Sequence, residues 1–184
     1  MISSYMSWSD GVDLVALSAP GLPMPNVIVH FARMVHTPVG SAPAGMIFIP
    51  DPVNPAQPRV FGFVSPDPDV GAYFGPKIFA GTPFEKAPVL IGSIDVMLSL
   101  AQKRASVRIA VAGFVIESVL SGVGDLQSAD RPAGNLPFGE HALEAKASAA
   151  HVTVNGQPLT LIIPPTGMSG GPPAVYSATG FYVR

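Results

Sequence analysis

The sequence predicts an all-β protein: an antiparallel β-sandwich or flattened barrel of about seven to nine strands, with long Pro/Gly-rich loops and at most one short helix. Three observations carry this. Charge is scarce: only 12% of the 184 residues are Asp, Glu, Lys or Arg, none lies from Ala147 to Val183, and Arg33 is alone between Leu14 and Pro50. Helices in water need a charged or polar outer face, and here there is little to build one from. The 19 glycines and 21 prolines cut the chain into short segments, and several of these alternate apolar with small or polar residues at a period of two.

At this length one β-rich domain spanning residues 1–184 is expected, large enough to bury a core without staples. Residues 1–25 read as a loosely structured or strand-bearing arm ending in Pro20-Gly-Leu-Pro23-Met-Pro25, a stiff extended segment. Val27 to Val35 reads as the first core strand, with Val27, Val29, Phe31 and Val35 in one register. Met46–Ile49 and Arg59–Val64 are shorter strands. Eleven prolines from Thr37 to Pro88 imply that these are short or lie at sheet edges, because proline cannot donate to a central ladder.

Ile94–Leu100 and Val107–Val119 alternate strongly and read as a long hairpin about the polar Gln102-Lys-Arg104 group. Gly122 to Gly139, with Asp125, Asp130, Arg131, Pro132 and Pro137, reads as a surface loop. Glu140–Ala150 is the one helix candidate, through its alanines, although it alternates well enough to be a strand. Val152-Thr-Val154, then Asn155-Gly156, then Leu159–Ile163 form a second hairpin, Asn-Gly being a strong two-residue turn signal. Ala174–Val183 is the last strand.

Composition excludes several chemistries. There is no cysteine, hence no disulfide framework, thiolate metal site or thiol nucleophile. The net charge of −2 and the scattered basic residues offer no stripe for phosphates, so no nucleic-acid partner is expected. The opening Met-Ile-Ser-Ser-Tyr-Met-Ser-Trp lacks a basic n-region and a long apolar h-region. The expected location is the cytoplasm, or outside by a signal-independent route. The longest apolar run, Ile109–Ile116, is eight residues, against about 20 for a transmembrane helix; no transmembrane segment is expected.

Some residues point to chemistry. Glu117 shares the parity of Val107, Ile109, Val111, Val115 and Val119; buried, it would act as a general acid with a raised pKa, whereas a bulge at Gly113 or a strand end would turn it to solvent. Phe61, Phe63, Tyr73, Phe74, Phe79 and Phe84 either line an apolar or carbohydrate-binding surface or anchor loops to the sheet. His30 and His36 share a strand, but no His pair has tight metal-ligand spacing, and no metal or cofactor is expected. Asp67-Pro-Asp69 reads as a proline turn.

Gly167-Met-Ser169-Gly-Gly171-Pro172 resembles the nucleophile segment of chymotrypsin-like serine proteases, and Ala149-Ala-His151 resembles the segment around their histidine. That family is all-β and places His, Asp and Ser in that order across two barrels. Here His151 and Ser169 are joined through one hairpin with no Asp or Glu between them, so the segment reads as loop chemistry. The leading expectation for function is a non-catalytic binding or structural interaction module. The alternative is an enzyme or small-molecule carrier with an apolar pocket between the sheets, using Glu117 or a histidine. The uncharged stretch 147–183 suggests that its hairpin or last strand is covered by a partner protein or by self-association into an oligomer.

Overall fold

The computed structural model describes residues 4–131 and 137–184. Among these residues twelve strands follow one another: β1 (Tyr5–Ala16), β2 (Val27–Thr37), β3 (Gly40–Pro50), β4 (Pro58–Ser65), β5 (Val89–Ser99), β6 (Arg104–Val111), β7 (Phe114–Ser121), β8 (Gln127–Arg131), β9 (Gly139–Lys146), β10 (Ala149–Val154), β11 (Gln157–Pro158) and β12 (Ala174–Val183). They join in one sheet, ordered β11-β10-β7-β6-β5-β4-β3-β2-β1-β12-β9-β8. The fold is all-β, as expected, and the sheet is not a closed barrel. Neighbours are antiparallel except β4 and β5, which are parallel and therefore need a crossover. That crossover holds the helix, α1 (Pro68–Tyr73), which runs on as a π-helical turn over Phe74–Ile78.

The helix is thus not at Glu140–Ala150, which the sheet takes as β9 and the start of β10. It begins where a proline turn was expected. Asp67 caps it, its Oδ1 accepting from the amides of Asp69 at 2.9 Å and Val70 at 3.2 Å, and Pro68 occupies a first-turn position whose N–H has no helical acceptor. No helix is long and apolar enough to cross a membrane among the described residues.

The sheet folds back so that β5, β6, β7 and β10 lie over β1, β2, β3 and β12. Between the layers Val12, Leu14 and Phe31 meet Ile109, Ile116 and Leu120, all at most 1% exposed. Each contributes roughly 1.5–3 kcal/mol on burial, so this interior is a main source of stability. A second core lies on the opposite face of β1–β3, where Met6, Trp8, Ile28 and Met46 pack with Phe63, Phe74, Ile78 and Phe79.

Several expectations change in detail. There are more strands than expected because the arm supplies β1, the helix candidate supplies β9, and two further regions each add one. Val107–Val119 breaks at Ala112-Gly113, a two-residue turn with φ of +51° and +80°, and Gly122–Gly139 contains β8; Pro132 lies outside the described residues. Residues 5–16, read within the arm, are β1, hydrogen-bonded on both sides to β2 and β12. Nor are β3 and β4 edges. Pro43 fits a central strand because the β2–β3 register skips it, Ala42 pairing with Val35 and Ala44 with Ala32. Leu159–Ile163 forms no strand of its own: the return from the turn pairs only over Gln157–Pro158, as β11, and Ile162 makes a single bridge to Leu17. The last strand is β12 as read, paired by β1 and β9, so it needs no outside cover.

A line of irregularities crosses the sheet. Asp10 is skipped in the pairing of β1 with both neighbours and has φ +53°; β12 shifts register between Ser177 and Thr179, and β2 against β3 between Ala32 and Val35. An extra residue reverses which parity faces which side. In β1, Met6 and Trp8 therefore belong to the second core while Val12 and Leu14 belong to the inter-layer core. Past Asp10 the odd residues face the second core's side.

Candidate functional site

That reversal brings Asp13 onto the same face as Trp8. Asp13 is opposite His30 in the β1–β2 ladder, so the side chains are neighbours, and His30 Nδ1 lies 2.5 Å from Asp13 Oδ1. On the other side of β12, Glu140 is opposite both Tyr182 and Arg131, and Glu144, four residues on in β9, shares its face. Arg131 Nη1 lies 3.2 Å from Glu140 Oε1 and donates to Glu144 Oε2 at 3.1 Å, while Nη2 donates to Glu144 Oε1. Tyr182 Oη stands 3.4 Å from His30 Nε2.

These groups line an open recess of about 70 Å³. Its apolar side includes Ile28, Met46, Phe79 and Phe138, and the 167–173 segment supplies Met168 and Ser169. Phe138 packs on Tyr182 with ring centres 4.1 Å apart. The glycine-rich segment has a geometric reason to be glycine-rich: a Cβ on Gly171 would sit 2.5 Å from Arg131 Cζ, so only glycine lets this backbone lie against the guanidinium. Gly170 turns at φ +80°, and the Gly167 amide donates to the Gly171 carbonyl at 2.7 Å.

The electrostatics are those of a charged cluster partly withdrawn from water. Burial draws the His30 pKa down, but the Asp13 carboxylate, with Glu140 behind it, outweighs burial and leaves the imidazole above its ordinary 6.5. Burial pushes Glu140 above the usual carboxylate value; Arg131 opposes this, while Asp13 and Glu144 add to it. Arg131 is raised: burial opposes its charge, and the two glutamates more than compensate. Burial, then Glu140 and Asp13, hold Tyr182 well above 10, so its hydroxyl stays protonated.

The residues singled out from sequence are dispersed. Glu117 stands half-exposed on the outer face of β7, 3.3 Å from Arg108. The two-residue turn at Ala112-Gly113 pairs odd residues of β6 with even residues of β7, Val107 with Ser118 and Ile109 with Ile116, so the inward parity changes at the turn and Glu117 falls outward. Much of the aromatic set packs together: buried Phe63 lies 5.2 Å from Phe74 and 5.6 Å from Phe79, while half-buried Phe61 lies 6.3 Å from half-buried Phe84. Tyr73 is buried with them, and of the six only Phe79 reaches the recess. His151 is exposed on β10, whereas Ser169 lines the recess with His30 and Asp13. His36 instead faces Ser41 at 2.8 Å.

Sequence reasoning singled out none of Asp13, Tyr182 and Glu144, and placed Arg131 in a surface loop and Glu140 in a segment open to helix or strand. One signal was present: in a chain with 22 charged residues, charges inside apolar, alternating segments are conspicuous, and Asp13, Glu140 and Glu144 all occupy such positions. No family model matches the chain, and neither curated proteins nor solved structures give a match.

Proposed function

We propose that the protein is a binding module without catalytic activity, and that its ligand is a small molecule held in the recess beside His30. One observation carries this reading: the space between the layers is filled by side chains such as Phe31, Ile109 and Leu120, while charged groups converge on one small recess with an apolar side. Ligand sites characteristically combine a mostly apolar concavity with a few placed polar groups. Glu117, in contrast, is on the outer surface with Arg108. The test is amide shift mapping of the labelled protein against pooled small organic fragments. Shifts concentrated at His30, Phe138 and residues 167–173 are expected; shifts confined to the outer face of β5–β7, or none anywhere, would overturn the reading.

The alternative, an enzyme using a histidine, has one observation in its favour. Asp13 orients His30 through Nδ1, and Ser169 lines the same recess, which are the parts of a serine nucleophile system. The polar neighbour of His30 Nε2 is Tyr182, however, and among the described residues Ser169 has no hydrogen bond to the imidazole. A serine-reactive phosphonate is expected to leave the protein unlabelled. Stoichiometric labelling at Ser169 would favour the enzyme.

A further inference from the structure

We infer that the recess takes a primary alkylammonium group, its charge on Asp13 and Glu140 and its carbon chain against Phe79, Phe138 and Met168. This rests on the recess being the binding site. The first argument is a count of donors and acceptors. Asp13, Glu140 and Glu144 face Arg131 and His30 there, so the cluster is negative whether or not His30 is protonated. Both cations are engaged: Arg131 with both glutamates, and His30 Nδ1 with Asp13. The acceptors are not. Asp13 uses Oδ1 and Glu140 uses Oε1, and among the described residues Asp13 Oδ2 and Glu140 Oε2 have no hydrogen-bond partner. A ligand that brings positive charge and several N–H donors completes the set, as the three donors of an ammonium do. A carboxylate or phosphate would meet three carboxylates and cations already engaged.

The unengaged acceptors narrow the class further, because a trimethylammonium head carries charge but no N–H donor to give them, whereas –CH2–NH3⁺ brings three. The rings of Phe138 and Tyr182 add attraction for a cation over an aromatic face. Among the described residues no three His, Asp or Glu are grouped to hold a metal ion, which sets an organic cation ahead of a metal. The upward shifts of Glu140, led by burial, and of His30, held up by Asp13, fit a site that favours added positive charge.

The experiment is an NMR and calorimetric titration of the whole chain near neutral pH with n-butylammonium, 1-butanol, butyrate and n-butyltrimethylammonium. Butylammonium is expected to shift His30, Phe138 and residues 167–173, to bind at least tenfold more tightly than the other three, and to release protons on binding. Glu140→Gln should weaken it about tenfold while leaving butanol unchanged. A further arm with Nα-acetyl-lysine methylamide separates sources of the same chemistry: binding equal to or tighter than butylammonium points to a lysine side chain of a protein, and weaker binding to a free amine. Equal binding of butanol and butylammonium, or tighter binding of butyrate, would overturn the ammonium assignment while leaving the recess a binding site. No response of the recess to any probe would overturn both. Because the comparison among ligands is made on the unaltered protein, it stands even if the variant folds poorly.

Discussion

Replacing Gly180 by alanine drives a methyl group into the Trp8 indole. The two residues face each other across the β1–β12 ladder, and a Cβ on Gly180 would lie 2.3 Å from Trp8 Cζ2, 2.7 Å from Cη2 and 2.8 Å from the His141 carbonyl oxygen. The indole cannot easily yield. Its Nε1 donates to Ser177 Oγ at 2.9 Å, its ring packs 4.6 Å from that of Tyr182, and it is 6% exposed. Overpacking a core costs about 1–3 kcal/mol, and losing the indole hydrogen bond adds about 0.5–1.5 kcal/mol. Removing a flexible glycine returns about 0.5–1 kcal/mol. The expected loss is therefore about 2–3 kcal/mol, or a fall of about 1–1.5 M in the urea midpoint at a slope of about 2 kcal/mol/M. Fluorescence of Trp8, the one tryptophan, and far-UV circular dichroism both report the transition. In a Trp8→Leu background the same change should cost under about 1 kcal/mol, because the ring it strikes is gone, giving a coupling above about 1 kcal/mol. A Gly180→Ala protein within about 0.5 kcal/mol of the parent, or costs that simply add, would refute the reasoning.

Asn155 and Gly156 have φ of +50° and +77° and no atom crowds the Gly156 Cβ position, so Gly156→Val should destabilise by roughly 1 kcal/mol or more through backbone strain alone; an unchanged urea midpoint would contradict this. His30 is raised above 6.5 and Glu140 above 4.5, so the folded chain holds protons that the unfolded chain releases. The His30 contribution is full below pH 6.5 and is lost as pH rises through its higher folded value; Glu140 acts in the same direction from 4.5 upward. The urea midpoint should therefore fall as pH rises from about 6 to about 9, and His30→Gln should flatten the upper part of that decline; a rising midpoint in the parent would contradict it. Light scattering at micromolar concentration should show an oligomer, because β10 has only the two-residue β11 beside it and the 147–183 stretch carries no charge. Thr160→Lys, on the exposed return from that hairpin, should shift it toward monomer, and a parent already monomeric would rule the association out.

Much of the sheet was legible because alternation and turn residues are local signals. Val27–Val35, Ala174–Val183 and the Asn155-Gly156 turn all stand where the pattern puts them. Two kinds of information were not local. In β1, Met6, Trp8, Val12 and Leu14 have the same parity and are all buried, so parity alone would put them on one face; the skipped Asp10 assigns them to opposite faces. Turn chemistry at Ala112-Gly113 is weaker than at Asn-Gly, so the Val107–Val119 segment read as one strand, and parity left Glu117 open between the core and the solvent face that a break at Gly113 gives it. The recess combines groups from β1, β2, β8, β9, β12 and the 167–173 segment, and its ion pairs depend on register between strands distant in sequence. Asp13 and His30 are seventeen residues apart and meet only because β1 and β2 pair as they do.

The position of β12 bears on how the molecule forms. It fills the place between β1 and β9, joining a strand from the beginning of the sequence to one more than a hundred residues later. Until it enters, the outer edge of β1 has no partner, and β9 with β8 has nothing to hold it to the rest of the sheet. Pairings over such separations close slowly, because the loop entropy is lost before the contacts form. A newly made chain therefore passes through a stage with a long, mostly uncharged strand edge exposed, and that stage, more than the finished fold, is where aggregation competes. Yield on refolding should fall steeply with protein concentration, and a chaperone that shields strand edges should restore it.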